Sequence, residues 1–352
     1  MSRALDPDTA ASLSAGNPLA AYQTISNVFV SPHDGLLEIE ILGKTHFLEE
    51  GQYALQDGHA VAISKLGLVQ AFMVARQHLR DHLGGTMPRP DDDVRAMTAV
   101  ILLFDPEYLT AANTRKRLLQ AQISSCSDAR ARLETEKRFV DSLLTSRLHR
   151  HTKSPTLWSH RRWLVSTFTS LELPVDVLGD IRDVVFVAGE RHPRNYYAWC
   201  HARFLMGLNR GISRPDILAA VQAWCFQHHT DISGWSFLYF LLNQESGSNI
   251  EVGCTTFTDV LNLVSSLHLV NESVWVFLRT LAASRLVGDE QCSQLRAVQA
   301  AILETLTTPP DQAVLRAAVE WCEAYRRRSE PPLADGQLRG KLDDNQQAHA
   351  ST

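Results

Sequence analysis

No C-x-x-C pair occurs in this chain, and its six cysteines, Cys126, Cys200, Cys225, Cys254, Cys292 and Cys322, stand far apart. That spacing suggests neither a disulfide framework nor a zinc knuckle, and it fits a reducing compartment. No stretch of about 18 uncharged apolar residues exists, and Met1 to Gly16 has no apolar core, so neither a spanning helix nor a signal peptide is expected. Charge of one sign is also scarce. With 34 basic and 39 acidic residues the net charge is −5, a poor footprint for a nucleic-acid binder. Neither G-x-x-x-x-G-K-[ST] nor G-x-G-x-x-G is present, so any phosphate must be met by lysine or arginine side chains. A G-x-S-x-G nucleophile elbow is missing too. Histidine is plentiful at 14 copies, yet the nearest pairs, His149 with His151 and His228 with His229, lack a carboxylate or cysteine at ligand spacing. They read as solvated or capping residues, and no metal site is expected. These absences leave a soluble, cytoplasmic, non-nucleic-acid-binding chain whose 45% hydrophobic content can bury a sizeable core.

What the 352 residues do contain is a repeat. SPTLWSHRRWLV, NYYAWCHARFLM, SGWSFLYFLL and NESVWVFLRTLA carry Trp158, Trp199, Trp235 and Trp275 at intervals of 41, 36 and 40 residues. Such a period suits one helical hairpin per repeat. Between the tryptophan segments lie further amphipathic helices: Ile217, Val221, Trp224 and Cys225 share one face, as do Phe257, Val260, Leu261 and Val264. Ser213 and Asn271 sit where N-caps belong. The spacing therefore predicts an all-α solenoid of antiparallel helical hairpins over 90–327, closed by a helix from Pro310 to about Tyr325 that carries Val314, Ala317, Trp321 and Tyr325 on one face. Residues 21–89 read as mixed short elements, with a small strand at Leu37 to Ile41 and a helix from Ala60 to His82. Residues 1–20 and 328–352 read as disordered. A solenoid buries each hairpin only against its neighbours and exposes an extended surface, so function is expected to lie with a macromolecular partner.

Within the best copy, Trp158 is followed by Arg161 and Arg162, which places an indole and a guanidinium at i and i+3 or i+4 on one helix face, where cation and ring can stack. This W-x-x-R-R core resembles the repeat of protein prenyltransferase α subunits, with KSPTLWSHRRWLV and RNYYAWCHARFLM as its clearest copies. DPEYLTAANTRKRLL is a degenerate first copy in which Ala112 stands for the tryptophan while Asn113, Arg115 and Lys116 remain. The resemblance covers roughly residues 90 to 285. It implies a helical crescent that wraps a β subunit and contributes little of the chemistry itself, since zinc and the isoprenoid diphosphate reside on that partner; the β subunit implied is that of Rab geranylgeranyltransferase, and the product a geranylgeranylated membrane-trafficking protein. It further implies that Lys153, five residues before Trp158, touches the departing diphosphate, with Arg194 at the same offset from Trp199 as a backup. Trp158, Arg161, Arg162, Asn195, Tyr196, Trp199, Arg203, Trp235 and Trp275 are the implied repeat and interface positions. Four departures stand out: the first arginine becomes Ala202, Leu238 and Leu278 in later copies, and Pro155 replaces a tyrosine, changes that would weaken diphosphate contacts. The competing reading is a tetratricopeptide-like adaptor without a catalytic role, although its period of about 34 residues is shorter than the intervals found here.

Overall fold

The computed structural model describes residues 16–329 apart from 32, 44–48, 50, 126–127, 209–212, 244–249 and 285. The expectations for most of 1–20 and of 328–352 lie outside the described residues. The fold is of the all-α class, antiparallel helical hairpins following one another along the chain. Two compact units are distinguished, Met1–Leu238 and Tyr239–Thr352.

The first unit begins with α1 (Pro18–Val30), capped by the Asn17 side chain, and a three-stranded sheet of β1 (Glu38–Leu42), β2 (Ala54–Asp57) and β3 (Ala60–Ser64). The order is β1-β3-β2, with β1 parallel and β2 antiparallel to β3. Gly58, at φ 56°, makes the β2–β3 turn, where a side chain would be strained. Here the sequence reading needs correction. Residues 60–64 form a strand, and the helix α2 (Lys65–Leu83) starts only at Lys65, because Val61 and Ile63 alternate inward and Ser64 caps the helix through a bond from the Gly67 amide.

Then follow α3 (Asp91–Phe104), α4 (Leu109–Ser125), α5 (Ala129–Thr145) and α6 (Pro155–Ser170). The next helical stretch runs from α7 (Val177–Asp180) through a π-helical segment, Ile181–Phe186, into α8 (Val187–Arg191). It is followed by α9 (Tyr196–Met206), α10 (Arg214–Gln227) and α11 (Ile232–Asn243), within which the boundary between the units falls. The second unit contains α12 (Ile250–Leu267), α13 (Glu272–Ala283), α14 (Asp289–Thr305) and α15 (Pro309–Ser329).

Trp158, Trp199, Trp235 and Trp275 each occupy the fourth position of their helix, α6, α9, α11 and α13, and Ala112 occupies the fourth position of α4. All five are at most 4% exposed. The N–H groups of Trp158, Trp235 and Trp275 donate to the carbonyls of Thr152, His229 and Leu269, each six residues earlier, at 2.8–2.9 Å. The indole thus locks the loop that enters its own helix, and a buried N–H is satisfied in the process. Trp199 packs edge-on against Trp224, 4.9 Å between centroids. Gly234, in the S-G-W copy, has its own reason: a Cβ there would lie 2.5 Å from the Trp224 ring. In α15 the buried residues are Leu315, Ala318 and Cys322, whereas Trp321 and Tyr325 are 36% and 50% exposed and stack on each other. The face chosen from the sequence is therefore the outer one.

Candidate functional site

The N-caps of the tryptophan helices tie successive repeats together in the first unit. Ser154, capping α6, donates its hydroxyl to the Pro106 carbonyl in the loop before α4. Asn195, capping α9, donates its side-chain amide to the Thr152 carbonyl in the loop before α6 at 2.6 Å. Asp231 accepts the Ser233 and Gly234 amides at the start of α11 and, through its other oxygen, the Arg194 amide at 2.6 Å. Each cap thus reaches back to the preceding loop, and short polar side chains at these positions serve two repeats at once.

This ladder sets the position of the two residues singled out for anion contact. Lys153 follows Thr152 and Arg194 precedes Asn195, so the Asn195–Thr152 bond brings the two cations to one edge of the unit. Both are exposed. Arg194 adopts φ 62°, a left-handed conformation that costs a non-glycine residue energy and is held here by the Asp231 carboxylate. The rest of that edge is polar and aromatic. His192 Nδ1 lies 2.9 Å from His149 Nε2, the rings edge to face. Partial burial, His149 and the Lys153 charge together push the His192 pKa down. Tyr196 and Tyr197, at the start of α9, are 69% and 38% exposed. The N-termini of α6 and α9 add partial positive charge to the same edge.

The arginines of the W-x-x-R-R core divide into two roles. The first is internal. Arg161 is fully buried, donating Nε to Asp141 at 2.7 Å, Nη2 to Asp180 at 3.0 Å and Nη1 to His201 at 2.5 Å. Lys137 bridges the same two carboxylates at 2.9 and 2.8 Å. Burial alone would raise the Asp141 pKa, but Arg161 and Lys137 outweigh it and hold it low. Arg115, its counterpart in the degenerate copy, forms a two-pronged pair with Glu136 at 2.8 and 2.7 Å. Ala202, Leu238 and Leu278 fill the corresponding positions in fully buried form. The first arginine therefore cannot reach a diphosphate, and its loss in later copies exchanges a buried ion pair for apolar packing rather than weakening an anion contact.

The second basic residue reaches outward and forward. Lys116, Arg162 and Arg203 lie over Trp163, Phe204 and Phe237, on the next tryptophan helix, at 5.9, 4.5 and 5.7 Å. In the second unit Arg279 lies over Trp321 at 4.9 Å. The cation thus stacks on a ring of a later helix and not on the tryptophan of its own repeat. Arg203 also donates to Ser236 at 2.9 Å.

Of the residues chosen from the sequence, Trp158, Arg161, Asn195, Trp199, Trp235 and Trp275 are buried inside the repeats. Lys153, Arg162, Arg194 and Tyr196 are exposed, and Arg203 is partly so. Sequence reasoning missed the His149–His192 contact, because 43 residues separate the two. It also misjudged His151, which is buried with Nε2 3.0 and 2.9 Å from the Leu102 and Leu103 carbonyls, and whose pKa burial pushes down to about 4. Among the described residues no group of three or more His, Cys, Asp or Glu side chains is placed to hold a metal ion, and no helix is long and apolar enough to cross a membrane.

Parts of the sequence are similar to known proteins. Residues 133–168, which contain Lys153, Trp158 and Arg161, match the family described as protein prenyltransferase alpha subunit repeat, and residues 157–264 match the ECM9 middle domain. The chain is 28% identical to Protein ECM9 of Saccharomyces cerevisiae over 221 residues, 62% of this chain and 57% of that protein. It is 29% identical over 167 residues to protein prenyltransferase alpha subunit repeat-containing protein 1 of Danio rerio, covering 42% of this chain and 37% of the relative. It is 24% identical over 212 residues to geranylgeranyl transferase type-2 subunit alpha of Rattus norvegicus, 57% of this chain and 36% of that subunit. In each case the chain spans less than two thirds of the relative's length.

Proposed function

The chain carries the protein prenyltransferase α-subunit repeat, and from that premise we propose that it is the α-like subunit of a heterodimeric, cytoplasmic protein prenyltransferase. Its reaction is geranylgeranyl transfer to a cysteine of a membrane-trafficking protein, and its partner is a β subunit of the type found in Rab geranylgeranyltransferase. Similarity to a geranylgeranyl transferase type-2 subunit alpha supports this choice. The observation that carries the reading is the Asn195–Thr152 bond, which sets exposed Lys153 and Arg194 on one edge beside two helix N-termini.

Zinc and the isoprenoid diphosphate would reside on the partner, the metal holding the acceptor thiolate as a nucleophile. This chain's part is electrostatic. The Lys153 ammonium, with Arg194 near it, meets negative charge that grows on the diphosphate as the bond to the prenyl carbon breaks, and so favours the transition state over the bound ground state. The buried Arg161 network keeps α5, α6 and α7 in register behind that edge. Exposed Tyr196 and Tyr197 supply apolar area with polar tips, suited to a protein interface.

The test is co-expression of the full chain with prenyltransferase β subunits, followed by single-turnover transfer from geranylgeranyl diphosphate to a protein ending in cysteine. A one-to-one complex that transfers, beside a lone chain that does not, is the expected result. A stable complex without transfer would favour the second reading, a helical-repeat adaptor, to which the exposed tyrosine pair is equally suited. Failure to bind any β subunit would overturn the proposal.

A further inference from the structure

Cys292 and Cys322, 30 residues apart in sequence, meet in the second unit. Cys292 lies in the first turn of α14 and Cys322 in α15, and the two helices are tied together beside them by Arg326 on Cys292 and by the Arg296–Glu323 ion pair at 3.6 Å, Glu323 following Cys322 in sequence. Each residue is 4% exposed. Arg326, one turn beyond Cys322, donates Nη1 to Cys292 Sγ at 3.0 Å and to the Ala282 carbonyl at 2.8 Å, and pairs with Asp289. The Asp289 side chain is 95% exposed, so the sulfur pair sits one side chain beneath the surface.

The two thiols are not alike. The neighbouring Cys322 thiol and the Arg326 charge draw the Cys292 pKa down to about 7, despite burial, whereas the adjacent Cys292 sulfur and burial push the Cys322 thiol far up. Cys225 shows the contrasting case, a buried thiol raised by desolvation with no cation beside it. A sulfur held next to a guanidinium and a second sulfur is the environment of a reactive dithiol, and an inert structural cysteine has neither.

We propose that Cys292 and Cys322 form a redox-modification site, a dithiol that a peroxide oxidises to an intrachain disulfide joining α14 to α15. Cys292 sulfur, as thiolate, attacks one peroxide oxygen; the O–O bond breaks, the departing oxygen takes up a proton, and Cys292 becomes a sulfenic acid. Cys322 then gives up its proton, its sulfur attacks Cys292 sulfur, and water leaves as the S–S bond closes. Two electrons pass from the sulfurs to the peroxide. A transient bond of this kind suits a reducing compartment, where disulfides serve sensing more than scaffolding.

The test treats the full reduced chain with hydrogen peroxide, blocks remaining thiols by alkylation and maps the peptides. Expected is one cross-linked peptide pair containing Cys292 and Cys322, formed before Cys200, Cys225 or Cys254 reacts and reversed by dithiothreitol. Arg326→Gln, which leaves both sulfurs in place, should slow the reaction by about three- to tenfold through loss of thiolate. Cys322→Ser should halt oxidation at a Cys292 sulfenic acid that a dimedone probe traps. Two free thiols at these positions after Cys200 and Cys254 have oxidised, or pairing of either with another cysteine, would overturn the proposal.

Discussion

The Asn195 side chain donates to the Thr152 carbonyl at 2.6 Å, across 43 residues of sequence, while its own oxygen caps α9. The same carbonyl receives the Trp158 indole at 2.9 Å. Asn195→Ala removes a cap and a buried bond together and should cost about 1–3 kcal/mol in urea unfolding. Trp158→Ala, which also empties a large buried volume, should cost about 3–5 kcal/mol. If Asn195→Ala were as stable as the parent chain, the cap ladder would not hold the repeats together.

Arg161 gives a sharper test, because the chain itself contains the apolar alternative. Arg161→Leu leaves Asp141 and Asp180 buried with only Lys137 between them and should destabilise by about 3–5 kcal/mol. Adding Asp141→Leu should recover part of that loss, since Ala202, Leu238 and Leu278 show that the position accepts apolar packing. A double-mutant cycle measures the coupling; strictly additive losses would mean that the pair does not act as a unit.

Lys153→Ala should leave helix content and partner binding intact, since the side chain is exposed. Single-turnover transfer by the assembled heterodimer should slow by about ten- to a thousandfold, the range for removing one electrostatic donor. Arg194→Ala should have the smaller effect. An undiminished rate for Lys153→Ala would reduce this subunit to a scaffold.

Acid should unfold the chain in two stages. His151, neutral in the fold with a pKa near 4 against an ordinary 6.5, takes up its proton first in the unfolded chain. Stability from this group is therefore complete above pH 6.5 and declines between 6.5 and 4, by roughly 3 kcal/mol at 1.4 kcal/mol per unit. Arg115 and His160 hold Glu136 below its ordinary 4.5 despite burial, so its contribution is present above that value and drains away at lower pH. Equilibrium unfolding from pH 8 to 3 should show both slopes, and Glu136→Gln should flatten the lower one; a flat profile between pH 7 and 5 would contradict the burial of His151.

Much of the architecture was legible because it rests on local chemistry. Tryptophan at a fixed position of each helix, Ser, Asn or Asp at most of the caps before them, and amphipathic stretches between them are patterns written at short range. The strand at 60–64 was hidden because its alternation merges into the helical pattern that follows. The outer placement of Trp321 and Tyr325 was hidden because an aromatic face reads as core until Leu315, Ala318 and Cys322 are seen to fill it.

The candidate site was legible by residue and not by arrangement. Lys153 and Arg194 came from the family resemblance, through their offset to a repeat tryptophan, and that offset says nothing about distance between loops 41 residues apart. By itself the sequence determined the repeat, the hairpin class and which side chains were available. Tertiary structure alone decided that Arg161 turns inward to Asp141 and Asp180, that Arg162 reaches the next ring, and that His149 finds His192. The physical reason is that a buried charge or a shared carbonyl takes its partner from a neighbouring repeat, and stacking sets which groups become neighbours.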